Sequence, residues 1–144
     1  MHRDYHAWNL HLDSKHELRV IDFQDALLGP ALYDLASLCT DRDSDRFVDP
    51  GLESELVELF ARRLAANGGP DLGSAASLHA AYFDAVAYRT LRVIGRFRFL
   101  AIEKGKPGYL RYLAPMARQT RRALLAGGER ALLDALAERS AAFA

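Results

Sequence analysis

Residues 2–9 read His2-Arg3-Asp4-Tyr5-His6-Ala7-Trp8-Asn9, and residues 21–26 read Ile21-Asp22-Phe23-Gln24-Asp25-Ala26. The first block has the spacing H-R-D-x-x-x-x-N, in which an aspartate can receive the proton of an attacking hydroxyl and the asparagine can help to hold magnesium. The second block adds a carboxylate, because Asp22 follows the apolar pair Val20-Ile21 and would emerge from a strand facing the first block. We therefore predict that Asp4 is a catalytic base and that Asn9 and Asp22 are magnesium ligands.

The two blocks occur close together and in this order, and a third stretch follows them, Gly29-Pro30-Ala31-Leu32-Tyr33-Asp34-Leu35-Ala36-Ser37-Leu38. In this combination the chain resembles the C-terminal lobe of the aminoglycoside phosphotransferase family, the small-molecule branch of the kinase-like fold. Within that family it is most similar to the anomeric kinases of N-acetylmuramate and N-acetylglucosamine. The specific motifs cover residues 2 to about 42, and beyond them the resemblance rests on helical character and on residues 89–97.

The resemblance implies an ATP-dependent phosphotransferase that acts on a hydroxyl of a small sugar, with a cell-wall amino sugar as the favoured substrate. Mg²⁺ and ATP are the implied cofactor and co-substrate. Aminoglycosides or another small molecule are the alternative substrates, and a non-catalytic binding or regulatory remnant of a kinase-like protein is a second alternative. A metal-dependent hydrolase that uses His2, Asp4, His6 and Asp22 is a third, although it leaves Asn9 without a role.

Further residues are expected to support this chemistry. His2 would pack under the catalytic loop, and Asp34 resembles the helix aspartate of the family that hydrogen-bonds back to that loop. Asp25 would orient either the metal-bound waters or the sugar. Arg89 and Arg92 lie at helical spacing and could meet a sugar carboxylate, although a solvated basic face or interhelical ion pairs are the favoured interpretation.

The composition excludes several other classes of protein. The 144 residues are half hydrophobic, and Lys plus Arg balances Asp plus Glu at 19 each, which gives no bulk electrostatic case for a nucleic-acid or anionic-membrane partner. The single Cys39 cannot form an intrachain disulfide, and neither a leader nor a membrane-spanning run of apolar residues is visible. The expected compartment is therefore the cytoplasm.

Hydrophobic periodicity predicts a mainly α fold with one small β-hairpin. We expect a single domain over residues 1–144, with a catalytic loop and metal-binding hairpin at 2–26 and a helical subdomain at 30–142. The hairpin strands would flank a polar turn at 13–17. Helices are predicted over 32–38, from Asp49-Pro50 to about 67, and over 74–103, 109–126 and 129–142, with Gly95 either kinking the third helix or admitting a neighbour.

The phosphate-binding parts of a kinase are not visible in these 144 residues. No glycine-rich phosphate loop occurs, and the three lysines, Lys15, Lys104 and Lys106, are not placed to hold the nucleotide. Met1 stands directly before the catalytic loop, where a complete kinase would already have passed through its nucleotide lobe. We therefore expect the N-terminal nucleotide lobe to be the absent partner and the chain alone to be inactive.

Overall fold

The computed structural model describes residues 1–143, the side chain of Asp45 excepted. Two strands and five helices follow one another along the chain: β1 Leu10–Leu12, β2 Leu18–Val20, α1 Tyr33–Cys39, α2 Pro50–Ala66, α3 Ala75–Ile102, α4 Leu113–Ala126 and α5 Arg130–Arg139. Short 3-10 helices lie at Ala7–Asn9, Ser44–Arg46, Pro107–Tyr112 and Ala141–Phe143. The predicted mainly helical fold with one hairpin is confirmed. The chain divides into two compact units, Met1–Tyr82 and Phe83–Ala144.

The hairpin pairs β1 with β2 in antiparallel register, with Leu10 opposite Val20 and Leu12 opposite Leu18. Its turn is held by the Asp13 carboxylate, which accepts hydrogen bonds from the backbone N–H groups of Lys15 at 2.8 Å and Glu17 at 3.0 Å. The pKa of Asp13 is lowered below its usual value by hydrogen bonds from the Glu17 N–H, the Arg19 side chain and the Lys15 N–H. The polar turn predicted between the strands is therefore an aspartate-centred turn.

In the first unit, helix α1 packs against α2, and the apolar side chains that face inward are buried. Helix α2 begins as the sequence predicts, because the Asp49 carboxylate caps the N–H groups of Gly51 and Leu52 and Pro50 occupies the first turn. The Tyr82 hydroxyl donates a 2.5 Å hydrogen bond to the buried carboxylate of Glu53. Burial raises the pKa of Tyr82 far above its usual value, and neighbouring Cys39 and Glu53 add to the rise.

In the second unit, helix α4 packs against α5 and against the 3-10 helices that flank them. The buried hydroxyl of Thr120 lies 2.8 Å from that of Thr90, and this hydrogen bond joins α4 to α3. The sequence-predicted helix over 109–126 is wrong at its start, because Pro107–Tyr112 is a 3-10 helix and α4 begins at Leu113. The last helix ends at Arg139 instead of 142, since residues 141–143 form a separate 3-10 turn.

None of the helices in residues 1–143 combines the length and the apolar character needed to cross a membrane.

Candidate active site

Residues 2–9, the predicted catalytic loop, are held by one side chain of helix α1. The Asp34 carboxylate accepts hydrogen bonds from the backbone N–H groups of His2, at 2.5 Å, and Arg3, at 2.9 Å. Arg3 has a φ of 79°, a left-handed conformation that is unfavourable for a residue with a side chain. Two charge-assisted hydrogen bonds at this point stabilise a bend that the chain would not adopt by itself. The contact expected of Asp34 is present, and its importance for activity remains a prediction.

His2 joins the catalytic loop to the segment that carries Asp22. Its Nε2–H donates to the carbonyl oxygen of Ile21 at 2.9 Å, and its ring meets the edge of Tyr5 with centroids 5.9 Å apart. Because a carbonyl can only accept, Nε2 carries a proton in this contact. The side chain is therefore placed as an internal support of the loop.

Asn9 is buried, with 9% of its surface exposed, and it is fixed on three sides. Its side-chain Nδ2 donates to the backbone carbonyl of Asp4 at 2.9 Å, its N–H donates to His6, and its own carbonyl accepts the N–H of Ile21 at 3.1 Å. In the described part of the chain no hydrogen bond uses its Oδ1. The amide oxygen is therefore left to act as a ligand.

Asp22 follows directly and has a φ of 65°, again left-handed for a residue that is not glycine. Its Oδ1 accepts a 2.7 Å hydrogen bond from Nε2 of Gln24. Because Ile21 pairs with Asn9 through its N–H and with His2 through its carbonyl, the residue before Asp22 is tied to both ends of the catalytic loop. Asn9 carries an amide oxygen and Asp22 a carboxylate, the types of oxygen ligand that Mg²⁺ takes, and their role as ligands remains a prediction.

Asp4 lies half-buried within this loop, and its backbone carbonyl accepts from both Asn9 and the N–H of His6. Among residues 1–143 no hydrogen bond or ion pair engages its carboxylate, so the carboxylate oxygens are available to a hydroxyl group. Asp25 is exposed, and its backbone carbonyl lies 3.5 Å from Nη1 of Arg3. These contacts therefore involve the backbone of Asp25 and give no structural role to its side chain.

The hydrolase alternative requires a cluster of histidine and carboxylate ligands. No group of three or more His, Cys, Asp or Glu side chains among the described residues is arranged to hold a metal ion. The His2 ring is instead directed at the Ile21 carbonyl. The assignment of Asn9 and Asp22 as magnesium ligands remains a prediction, in which water and phosphate oxygens would complete the shell of the ion.

The two arginines proposed for substrate binding lie in the second unit, whereas the catalytic loop lies in the first. Arg89 is buried, with 2% of its surface exposed, and Arg92 is exposed. Of the two favoured interpretations, a solvated basic face is therefore wrong for Arg89, because this position of helix α3 is buried, and interhelical ion pairing stays a prediction. A role for either residue toward the substrate remains a prediction.

A cavity of about 390 Å³ lies beside the catalytic loop. Its lining consists of Tyr5, Asp34 and five apolar side chains of α1 and α2, namely Leu35, Leu38, Leu56, Leu59 and Phe60. A sugar needs several polar partners for its hydroxyl groups, and this lining offers only two. The cavity is therefore a poor candidate for the sugar site.

Two contacts in this site were missed by sequence reasoning. The backbone of Ile21 links both ends of the catalytic loop, and no sequence pattern reports a backbone contact between residues far apart in the chain. The amide of Gln24 donates a hydrogen bond to Asp22. The sequence feature that could have indicated this contact is a glutamine at the position where kinases carry the glycine of D-F-G.

Comparison with known proteins identifies the family to which the sequence motifs point. Residues 1–78 match the model of the phosphotransferase enzyme family. The chain is 36% identical over 116 residues to the N-acetylmuramate/N-acetylglucosamine kinase of Caulobacter vibrioides, covering 78% of this chain and 30% of that kinase. It is 35% identical over 113 residues to the kinase of the same name from Pseudomonas putida, covering 76% of this chain and 32% of the relative. This chain thus spans about a third of the length of these relatives. With a family match that covers more than half of its residues, the chain belongs to the phosphotransferase enzyme family.

Proposed function

We propose that residues 2–26 form the catalytic loop and metal-binding hairpin of an ATP-dependent kinase that phosphorylates a small cell-wall amino sugar, N-acetylmuramate or N-acetylglucosamine. The observation that carries the proposal is the set of hydrogen bonds at both ends of the loop. The Asp34 carboxylate bonds the backbone at its start, and the Asn9 carbonyl at its end bonds Ile21, the residue before Asp22. The names of the two relatives support the substrate class. A kinase that draws on ATP would work in the cytoplasm.

Asp4 is the proposed catalytic base. Its half-buried carboxylate would accept the proton of the sugar hydroxyl while that oxygen attacks the terminal phosphate of ATP. The Asn9 amide fixes the backbone of Asp4 at 2.9 Å, so the carboxylate is presented from a rigid point of the loop. Such positioning matters because phosphoryl transfer depends largely on geometry and electrostatics.

Asn9 and Asp22 are the residues that would hold Mg²⁺, through the amide Oδ1 and the carboxylate. When bound, the ion neutralises the charge of the phosphate oxygens. His2 and Asp34 act as supports of the loop. Asp25 stands near enough in sequence to orient metal-bound water or the sugar, and Arg89 and Arg92 are the candidates for a sugar carboxylate.

The groups that cover the phosphates would come from outside these residues, in a nucleotide lobe of the kinase-like fold. The chain spans about a third of the length of its relatives, which leaves room in the whole enzyme for such a lobe. In this interpretation the present residues supply the base and the metal site of a two-lobed kinase.

The proposal is tested by replacing the matching segment of the Caulobacter vibrioides kinase with this chain. We expect the hybrid to phosphorylate N-acetylmuramate with ATP, and Asp4→Asn to lower turnover by about a hundredfold or more while nucleotide affinity stays nearly unchanged. Asp84→Asn, an exposed change on α3, is the control and should leave turnover intact. Near-normal turnover of the Asp4→Asn hybrid would remove Asp4 from the role of base.

A further inference from the structure

Asp22 is an exposed side chain at a bend, and its carboxylate can rotate unless something holds it. In the described part of the chain, the hydrogen bond that reaches this carboxylate comes from Gln24, whose Nε2 lies 2.7 Å from Oδ1. A ligand that is already oriented loses less conformational freedom when an ion binds. The contact therefore bears directly on how well Asp22 can serve a metal.

The local backbone makes this contact possible. Asp22 adopts a left-handed φ of 65°, and the N–H of Ala26 closes a turn by bonding the carbonyl of Phe23 at 3.0 Å. Within this segment the Gln24 side chain is long enough to reach the Asp22 carboxylate two residues earlier. The bond thus follows from a defined bend.

The chemistry of an amide suits this position. Gln24 donates a hydrogen bond without carrying charge, so Asp22 keeps its full negative charge for a cation. A lysine or arginine here would compete with the ion for the same carboxylate. With one lone pair of Oδ1 engaged by the amide, Oδ2 is the less occupied oxygen, which favours one-oxygen coordination.

We propose that Gln24 is a positioning residue that holds Asp22 for one-oxygen coordination of Mg²⁺ and so selects Mg²⁺ over Ca²⁺. The selectivity follows because Mg²⁺ demands a compact octahedral shell, whereas Ca²⁺ readily accepts a carboxylate through both oxygens. This inference rests on the proposed function, in which Asp22 is a metal ligand. It adds a residue that acts through Asp22 and touches neither metal nor substrate.

The test uses the 144-residue chain with Mn²⁺ alone as the probe, located by paramagnetic broadening of the backbone amide signals of Asn9 and Asp22. Mg²⁺ and Ca²⁺ then compete for the site, and each affinity is read from the recovery of those signals. Gln24→Met keeps the length of the side chain and removes the donor, while Asp22→Ala removes the ligand. Gln119→Ala is the matched control, because Gln119 bonds Arg122 in the second unit.

We expect Gln24→Met to weaken Mg²⁺ competition by about tenfold, as is usual when the support of a metal ligand is lost, and to weaken Ca²⁺ competition less. Gln119→Ala should change neither. Unchanged Mg²⁺ affinity and unchanged selectivity in Gln24→Met, with binding lost in Asp22→Ala, would overturn the role of Gln24 and leave the metal site in place. Absence of localised broadening in the unaltered chain, or an Asp22→Ala variant that binds normally, would overturn the metal site itself and with it this inference.

Discussion

Asp34 stabilises the predicted catalytic loop through two backbone hydrogen bonds, which is the contact that the family resemblance led us to expect. Its carboxylate accepts the N–H groups of His2 and Arg3, and Arg3 is in a left-handed conformation. A charged acceptor with two oxygens is suited to two donors at once. The Asp34 carboxylate therefore stabilises this end of the loop, together with the contact of His2 to the Ile21 carbonyl.

We predict that Asp34→Asn lowers the free energy of unfolding by about 1 to 3 kcal/mol, because the amide accepts with one oxygen and turns an NH₂ group toward a backbone donor. Urea unfolding followed by circular dichroism measures the change. The exposed Asp84→Asn variant is the control and should lie within about 0.5 kcal/mol of the unaltered chain. Equal stability of the two variants would show that the Asp34 contacts do not hold the loop.

Helix α3 shows how an element can differ from its sequence expectation. Gly95 suggested a kink or the close approach of a neighbour, yet α3 runs unbroken from Ala75 to Ile102. A Cβ added at Gly95 would meet no atom within 4 Å, so the lack of a side chain serves no packing purpose there. Gly68, which follows α2, does need to be glycine, because its φ of 76° is a left-handed conformation that strains a residue with a side chain.

We predict that Gly95→Ala raises the free energy of unfolding by about 0.5 to 1 kcal/mol, since alanine loses less backbone entropy in a helix interior. Gly68→Ala should lower it by about 1 kcal/mol or more, because a side chain is strained at a left-handed position. Thermal melts of both variants, compared with the unaltered chain, measure these changes in stability. A destabilised Gly95→Ala variant would mean that the glycine is needed for contact with another surface.

At the scale of the whole molecule, the segment that carries the candidate site also exposes several large apolar side chains. Trp8, Leu12, Leu18, Phe23 and Leu28 are all more than half exposed, and Leu28 is 99% exposed. They come from the same 28 residues that carry the proposed base and metal ligands. Large apolar side chains that are exposed together in one patch are typical of sites that meet another protein surface, and this segment supplies five such side chains.

We predict that the 144-residue chain by itself shows no measurable sugar kinase activity and binds ATP weakly. Asp4 is the proposed base and Asn9 and Asp22 are the proposed metal ligands, but no glycine-rich loop or suitably placed lysine is visible in these 144 residues to neutralise the phosphates. Phosphate transfer from radiolabelled ATP to N-acetylmuramate measures this directly, with the active hybrid kinase as the positive control. Robust phosphorylation by the chain alone would contradict the proposed division of labour between two lobes.

Much of the fold could be predicted because its signals are local. The hairpin around residues 13–17, the aspartate cap and proline that begin α2, and the long apolar pattern of α3 each depend on neighbours in sequence. The boundaries were less certain, as the 3-10 helix at Pro107–Tyr112 shows, because a proline-led turn and an α-helix share the same spacing of apolar residues over one turn.

The sequence by itself determined the residue types and spacing of the candidate site and the family to which they point, because H-R-D-x-x-x-x-N and D-F-Q-D are local patterns with a chemical meaning. Only the tertiary structure decided which groups hold that site together. The backbone of Ile21 bonds both Asn9 and His2, the Gln24 amide holds Asp22, and Arg89 is buried while Arg92 is exposed. These outcomes depend on backbone dihedrals and on the packing of residues distant in sequence, and neither is encoded in a pattern of neighbouring residues.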